Sequence, residues 1–166
     1  MDDPHDGPHA REPQIDDIER ICGALNRAGA RYVLIGGFAV IAHGGARTTK
    51  DIDLLVDPSP ENVQRIKNAL SILEDNAAAE LADDEVGRYV VVRVADEVVI
   101  DLMARACGID YHEAALDAER LPLGTVEVPV ASSATLIRTK DTFRPSDAVD
   151  RNFLQAVISA RGGKGA

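Results

Sequence analysis

Asp51-Ile52-Asp53-Leu54-Leu55-Val56 sets two carboxylates one residue apart in a run that is otherwise apolar and that stops at Asp57-Pro58. The run reads as a strand, and a proline, which cannot donate to a sheet ladder, ends it. Side chains alternate across a strand, so Asp51 and Asp53 face one side while Ile52 and Leu54 face the other. Two carboxylates held this close raise each other's pKa and cost free energy unless a cation or a shared proton compensates them. A divalent ion is the natural compensation, and an all-oxygen donor set favours Mg2+ or Mn2+ over zinc. Asp101 is a third such residue, inside Val98-Val99-Ile100-Asp101-Leu102-Met103, where a charge in an apolar run is costly to bury. If that strand lies beside the first, the three carboxylates form one cluster able to hold two cations. Otherwise each is a strand-end residue facing solvent.

The surrounding segments are readable from periodicity and punctuation. Ile15, Ile18, Ile21, Cys22 and Leu25 fall at helical spacing before Gly29, which predicts an amphipathic helix over Ile15 to Ala28. Tyr32-Val33-Leu34-Ile35 predicts a buried strand ended by Gly36-Gly37. Glycine lets a backbone approach a ligand closely and N–H groups at a helix start attract anions, so the pair could cradle a phosphate; it is equally ordinary turn chemistry. A short helix over Phe38 to His43 and a small, basic loop from Gly44 to Lys50 lead into the Asp51 strand. Pro60 to Leu73 predicts a helix with Val63, Ile66, Leu70 and Leu73 as its buried stripe. Tyr89 to Val94 and Glu97 to Met103, separated by Ala95-Asp96, predict an antiparallel hairpin. Thr125 to Val130 is a further strand, Ser132 or Ser133 caps a helix through Lys140, and Pro145 opens a last helix to about Ser159.

Strands interleaved with helices imply an α/β (α+β) fold, a small mixed sheet flanked by helices, in one domain over residues 14–160. The length of 166 residues suits one domain. Residues 1–13, acidic and proline-rich, are expected to be a disordered tail, and 161–166 a flexible one. His5, Asp6 and His9 offer three metal ligands in the first tail, but only after the cost of ordering that segment. With 18 Lys+Arg against 28 Asp+Glu, the net charge of -10 excludes a basic surface that coats nucleic acid without sequence preference. Cys22 and Cys107 lie far apart with no CxxC spacing and read as free, buried thiols of a reducing cytosol. No run approaches the roughly 18 apolar residues of a membrane span and the N-terminus does not read as a signal peptide, so the expected location is cytoplasmic, with no membrane partner.

The segment Gly36-Gly37-Phe38-Ala39-Val40-Ile41-Ala42-His43-Gly44-Gly45-Ala46-Arg47-Thr48-Thr49-Lys50-Asp51-Ile52-Asp53 is more specific than its parts. Together with Val99-Ile100-Asp101-Leu102, and with Leu136 to Lys140, Arg144-Pro145-Ser146-Asp147 and Asp150 further on, it resembles the polymerase-beta-like nucleotidyltransferase superfamily, in its small bacterial branch. The resemblance spans roughly residues 15–159 and implies a metal-dependent transfer of a nucleoside monophosphate from an NTP to a hydroxyl on a protein, an RNA end or a small molecule. It implies that Asp51, Asp53 and Asp101 are catalytic and hold two Mg2+ ions, with Mn2+ as a substitute, and that Asp101 helps deprotonate the acceptor. Gly36 and Gly37 would hold the triphosphate, with Arg47 and Lys140 as further nucleotide contacts. The bland alternatives are a solvated charge for Arg47 and a complement to the helix dipole for Lys140.

The remaining polar residues have two readings each. His43 either touches nucleotide or, the favoured reading, packs against and caps the short helix; Asp147 and Asp150, beside Arg144 and Arg151, are read as members of ion pairs either within the last helix or to other elements; Arg88 and Arg93 line an acceptor cleft or are alternate exposed positions of a hairpin. Small stand-alone members of this kind include toxin–antitoxin components, abortive-infection enzymes and antibiotic nucleotidyltransferases. The partners implied are an NTP, a hydroxyl acceptor and a toxin or antitoxin protein, with a homodimer as a further option. The competing function is a weak or inactive antitoxin or regulatory subunit that keeps the fold and acts by binding. Gly-Gly stands here where many members have Gly-Ser, and no second domain for gripping a long nucleic acid is expected.

Overall fold

The computed structural model describes residues 10–165. Its centre is a six-stranded mixed sheet in the order β3-β4-β2-β1-β8-β7. The strands are β1 (Tyr32–Ile35), β2 (Asp51–Val56), β3 (Val92–Ala95), β4 (Val99–Met103), β7 (Glu119–Leu123) and β8 (Val126–Val130), and a separate two-stranded ribbon joins β5 (Arg105–Ala106) to β6 (Ile109–Asp110). The helices are α1 (Ile15–Arg27), α2 (Gly36–Ala42), α3 (Pro60–Leu70), α4 (Glu85–Arg88), α5 (Tyr111–Ala115), α6 (Ser133–Thr139) and α7 (Pro145–Gly165), with a 3-10 turn at Ala77–Glu80. This is the mixed sheet flanked by helices that the sequence predicts. Among the described residues no helix is long and apolar enough to cross a membrane.

Register decides what the sheet can do. β1 runs antiparallel to β2, with Ile35 opposite Asp53. β2 runs parallel to β4, with Asp53 opposite Asp101. β3 closes that side antiparallel to β4, with Arg93 opposite Asp101. Ile52, Leu54 and Val56 are fully buried on one face of β2; on the other, Leu55 is buried while Asp51 and Asp53 remain partly accessible. The carboxylate face is therefore covered at one end of the strand and open at the other.

Several expectations need correction. Within the expected disordered tail two residues make tertiary contacts: the Arg11 N–H donates to Glu97 O at 3.0 Å, its guanidinium grips Asp17 at 2.7 and 2.8 Å, and Pro13 is buried. That pairing holds the Asp17 carboxyl down at about 2. His5, Asp6 and His9 lie outside the described residues. The helix expected from Phe38 begins at Gly36, whose φ of +72° makes the turn out of β1. Strand β3 starts only at Val92, leaving Tyr89, Val90 and Val91 exposed. The last helix runs past Ser159 to Gly165, since no proline interrupts its hydrogen bonding. Cys107 is exposed, not buried, because it sits at φ +48° in the turn between β5 and β6; Cys22 is buried, and burial pushes its thiol up to about 12. Of the two serines expected as alternative caps of α6, Ser132 is the one that caps it, as the sequence allows, accepting from the Thr135 N–H at 3.1 Å.

One buried side chain ties the closed end of the sheet together. Asn62, in the first turn of α3, accepts from the Arg31 N–H at 2.7 Å and donates to Arg31 O at 3.0 Å and Asp57 O at 2.7 Å. It thereby pairs the backbone that enters β1 with the backbone that leaves β2. Replacing it leaves three main-chain groups without that partner in a place water reaches poorly. Asn62→Ala is expected to destabilise the protein by about 2–4 kcal/mol in urea denaturation, where a surface substitution would stay within about 0.5 kcal/mol; a change that small would show that water replaces the amide without loss.

Candidate active site

Neighbouring strands in parallel register place residues of equal offset side by side, and Asp53 and Asp101 are such a pair. Asp51 precedes Asp53 by two residues on the same face. Each of the three offers a carboxylate oxygen within 4.8 Å of the others, and among the described residues this is the one group of three or more potential metal ligands so placed. Asp101 is buried, with Asp51 and Asp53 partly accessible. Burial, then the charges of Asp51 and Asp101, push the Asp53 carboxyl up to about 7, with Lys140 and Arg93 pulling the other way. The donors of the cluster are all oxygen, as Mg2+ or Mn2+ prefers.

The glycine pair is explained by contact with this cluster. A Cβ on Gly36 would lie 2.2 Å from Asp53 Oδ2, and a Cβ on Gly37 would lie 2.6 Å from Thr49 Cβ. The backbone entering α2 thus rests directly on the second carboxylate and on the loop before β2, a closeness that excludes side chains. Gly36, Gly37, Arg47, Thr49, Asp51, Asp53 and Lys140 line one cavity of about 180 Å³, with Thr139, Arg144, Ser146 and Asp147 among the residues closing it.

Lys140 caps α6 at its C-terminal end and is 6% exposed. Its ammonium lies 3.0 Å from Asp150 Oδ2 and 3.7 Å from Asp147 Oδ1, two buried carboxylates one turn apart on α7. Asp150 also accepts from Arg47 Nη1, and Asp147 from Thr142 Oγ1 at 2.5 Å and Arg144 Nε at 2.8 Å. Burial alone would raise the Asp147 carboxyl; those two donors and the charges of Arg144 and Lys140 hold it below its ordinary value. Arg151 binds the Lys140 and Thr142 carbonyls. Both forms of ion pair expected of Asp147 and Asp150 are present: Asp147 pairs with Arg144, three residues before it at the entry to α7, and the two acids pair with Lys140 and Arg47 from outside the helix, which brings both cations to the cavity.

Other residues fall elsewhere. His43 Nε2 pairs with Ala131 O at 2.9 Å and Nδ1 with Ser133 Oγ at 3.4 Å, which is the packing role the sequence favours. Arg88 pairs with Asp84 at 3.4 Å and lies over the Tyr89 ring, away from the carboxylates. Arg93 does reach them: its Nε and Nη2 donate to the two oxygens of Asp101 at 2.9 and 3.0 Å, and Nη2 lies 3.3 Å from Asp51 Oδ2. A larger cavity, about 760 Å³, opens at the other end of β2 between Asp57, Tyr89, Arg105 and Tyr111. None of the three clustered carboxylates lines it.

A model of the nucleotidyl transferase AbiEii toxin family, of type IV toxin–antitoxin systems, matches residues 23–141. That span is more than half of the chain and takes in the glycine pair, the three carboxylates, Arg47 and Lys140. No curated protein matches the chain.

The raised Asp53 carboxyl has a consequence for stability. Its folded pKa of about 7 lies above its unfolded value, so the folded state binds more protons between about pH 4 and pH 7 and loses stability as pH rises through that window. Asp53→Asn removes the titration. In EDTA the variant is expected to unfold at a higher temperature than the unsubstituted protein at pH 8, with the difference shrinking towards pH 4. A difference independent of pH would show that Asp53 carries no excess charge in the fold.

Proposed function

Since the chain belongs to the AbiEii nucleotidyl transferase toxin family, we propose that it transfers a nucleoside monophosphate from an NTP to a hydroxyl acceptor in a reaction that depends on divalent metal held by Asp51, Asp53 and Asp101. The observation that carries this reading is the cluster itself: three carboxylates from two strands brought within 4.8 Å, at an energetic cost that a packing role would not require. An inactive binding subunit has no use for that cost. When bound, one or two Mg2+ ions would supply positive charge to the phosphates and to the attacking oxygen.

The chain's own residues account for the rest. Gly36 and Gly37 give the polyphosphate a backbone surface with no side chain in the way, next to Asp53. Arg47 and Lys140 face the same cavity as fixed cations, suited to the charge that gathers on departing pyrophosphate. Their pairing with Asp150 holds them in place, so they need not be ordered when the nucleotide arrives. In this reading Asp101 takes the acceptor's proton as the acceptor oxygen attacks the α-phosphorus; the bond to pyrophosphate breaks and the nucleotidyl group moves to the acceptor. A protein partner from a toxin–antitoxin pair and a cytoplasmic setting belong to this reading.

Incubation with α-labelled NTPs, Mg2+ and cell lysate is expected to label an acceptor, and a protein carrying Asp51→Asn and Asp53→Asn is expected to leave it unlabelled; equal labelling by the two proteins contradicts the assignment. Gly36→Ala tests the close approach separately. Its methyl group would displace the Asp53 carboxylate, and a shift of about 1 Å in a reacting group costs about a hundredfold in rate. Unchanged transfer by a folded Gly36→Ala protein would place the nucleotide elsewhere.

A further inference from the structure

The carboxylate cluster already contains a cation that belongs to the chain. Arg93 stands on β3 directly across from Asp101, and its guanidinium takes both Asp101 oxygens side-on, at 2.9 and 3.0 Å, while the same Nη2 reaches Asp51 Oδ2 at 3.3 Å. A fork-on-carboxylate pair of this kind is among the stronger hydrogen-bonded contacts, and it engages both oxygens of one acid. Asp101 and Asp51 are two of the three residues whose oxygens come together. A divalent ion on Asp101 would need one of the oxygens Arg93 now holds, and it would place two further positive charges beside a guanidinium that cannot shed its proton.

We propose that Arg93 and the divalent ion compete for Asp101 and Asp51, so that Arg93 is the counter-charge of the metal-free site and must leave Asp101 for the site to load. The inference rests on the metal-dependent reading above. The fold allows the movement: among the described residues β3 is an edge strand with no further strand beside it, and the Arg93 side chain is 31% exposed. Arg93 is thus a positioning residue that acts through Asp101. It keeps the metal-free carboxylates from repelling one another and sets how much ion is needed before they take up their catalytic arrangement.

The test follows the arginine Nε–H signals of the full-length 15N-labelled protein as MgCl2 is added, with Arg93→Lys identifying the Arg93 signal. Mn2+ binding to the unsubstituted protein, Arg93→Lys and Arg93→Gln is measured beside it by calorimetry. In EDTA the Arg93 Nε–H is expected to exchange slowly with water, and at saturating Mg2+ to exchange like a solvent-exposed arginine. Arg93→Gln is expected to bind Mn2+ about tenfold more tightly, the loss of one charge-assisted pair, and Arg93→Lys more tightly by a smaller factor. An Nε–H unmoved by saturating Mg2+ overturns the proposal, as does equal or weaker Mn2+ binding in Arg93→Gln. Arg93→Lys at unsubstituted affinity also overturns it, because charge without the fork would then suffice. If none of the three proteins binds Mn2+, the metal-dependent reading fails together with this one.

Discussion

The parallel register of β2 and β4 puts Asp53 beside Asp101, and much of the site follows from that pairing. Two carboxylates side by side on neighbouring strands, with a third two residues away, form an arrangement that hydrophobic burial alone would oppose. It persists because the same strands carry Ile52, Leu54, Val56, Ile100 and Leu102 into the core, where each is fully buried. A one-residue slip between β2 and β4 would send the acids and the aliphatic side chains to opposite faces, so the register that packs the core also assembles the cluster.

Around the cluster the charges are arranged in two tiers. Arg93 contacts the acids themselves from the next strand. Lys140 and Arg47 stand further off, held by Asp150 on α7, and Lys140 by Asp147 as well. The second tier is closely balanced, with buried acids paired to cations, and so is costly to disturb. In the first tier, burial and the two neighbouring acids still hold the Asp53 carboxyl up at about 7. A strongly raised carboxyl in a cavity, beside ion pairs that are balanced, is a feature functional sites share.

The parts of this arrangement that were legible in the sequence are those governed by local periodicity. Alternation along β2 puts Asp51 and Asp53 on one face, a charge in an apolar run marks Asp101, and apolar spacing marks α1. Strand β7 was not legible: Pro122, Glu119 and Arg120 argue against a strand, and it forms because an edge strand pairs on one side and tolerates a proline. Arg93 was missed as a contact of the cluster because the hairpin turn lies further along than Ala95-Asp96. A turn there pairs Arg93 with Val98; the observed register pairs it with Asp101. What moves the turn is Asp96, whose buried carboxylate accepts from the N–H groups of Asp75, Ala77 and Glu97, a tertiary contact with no local signature. The burial of Lys140 against Asp147 and Asp150 was hidden for the same reason, since it depends on how α6 and α7 pack.

Whether Asp51, Asp53 and Asp101 are the ligands of a divalent ion is decided by anomalous diffraction at the manganese edge, from crystals soaked in Mn2+. The expected result is a peak bounded by carboxylate oxygens of these three residues and lost in Asp101→Asn. A peak bound elsewhere, or one that persists unchanged in that variant, would contradict the assignment.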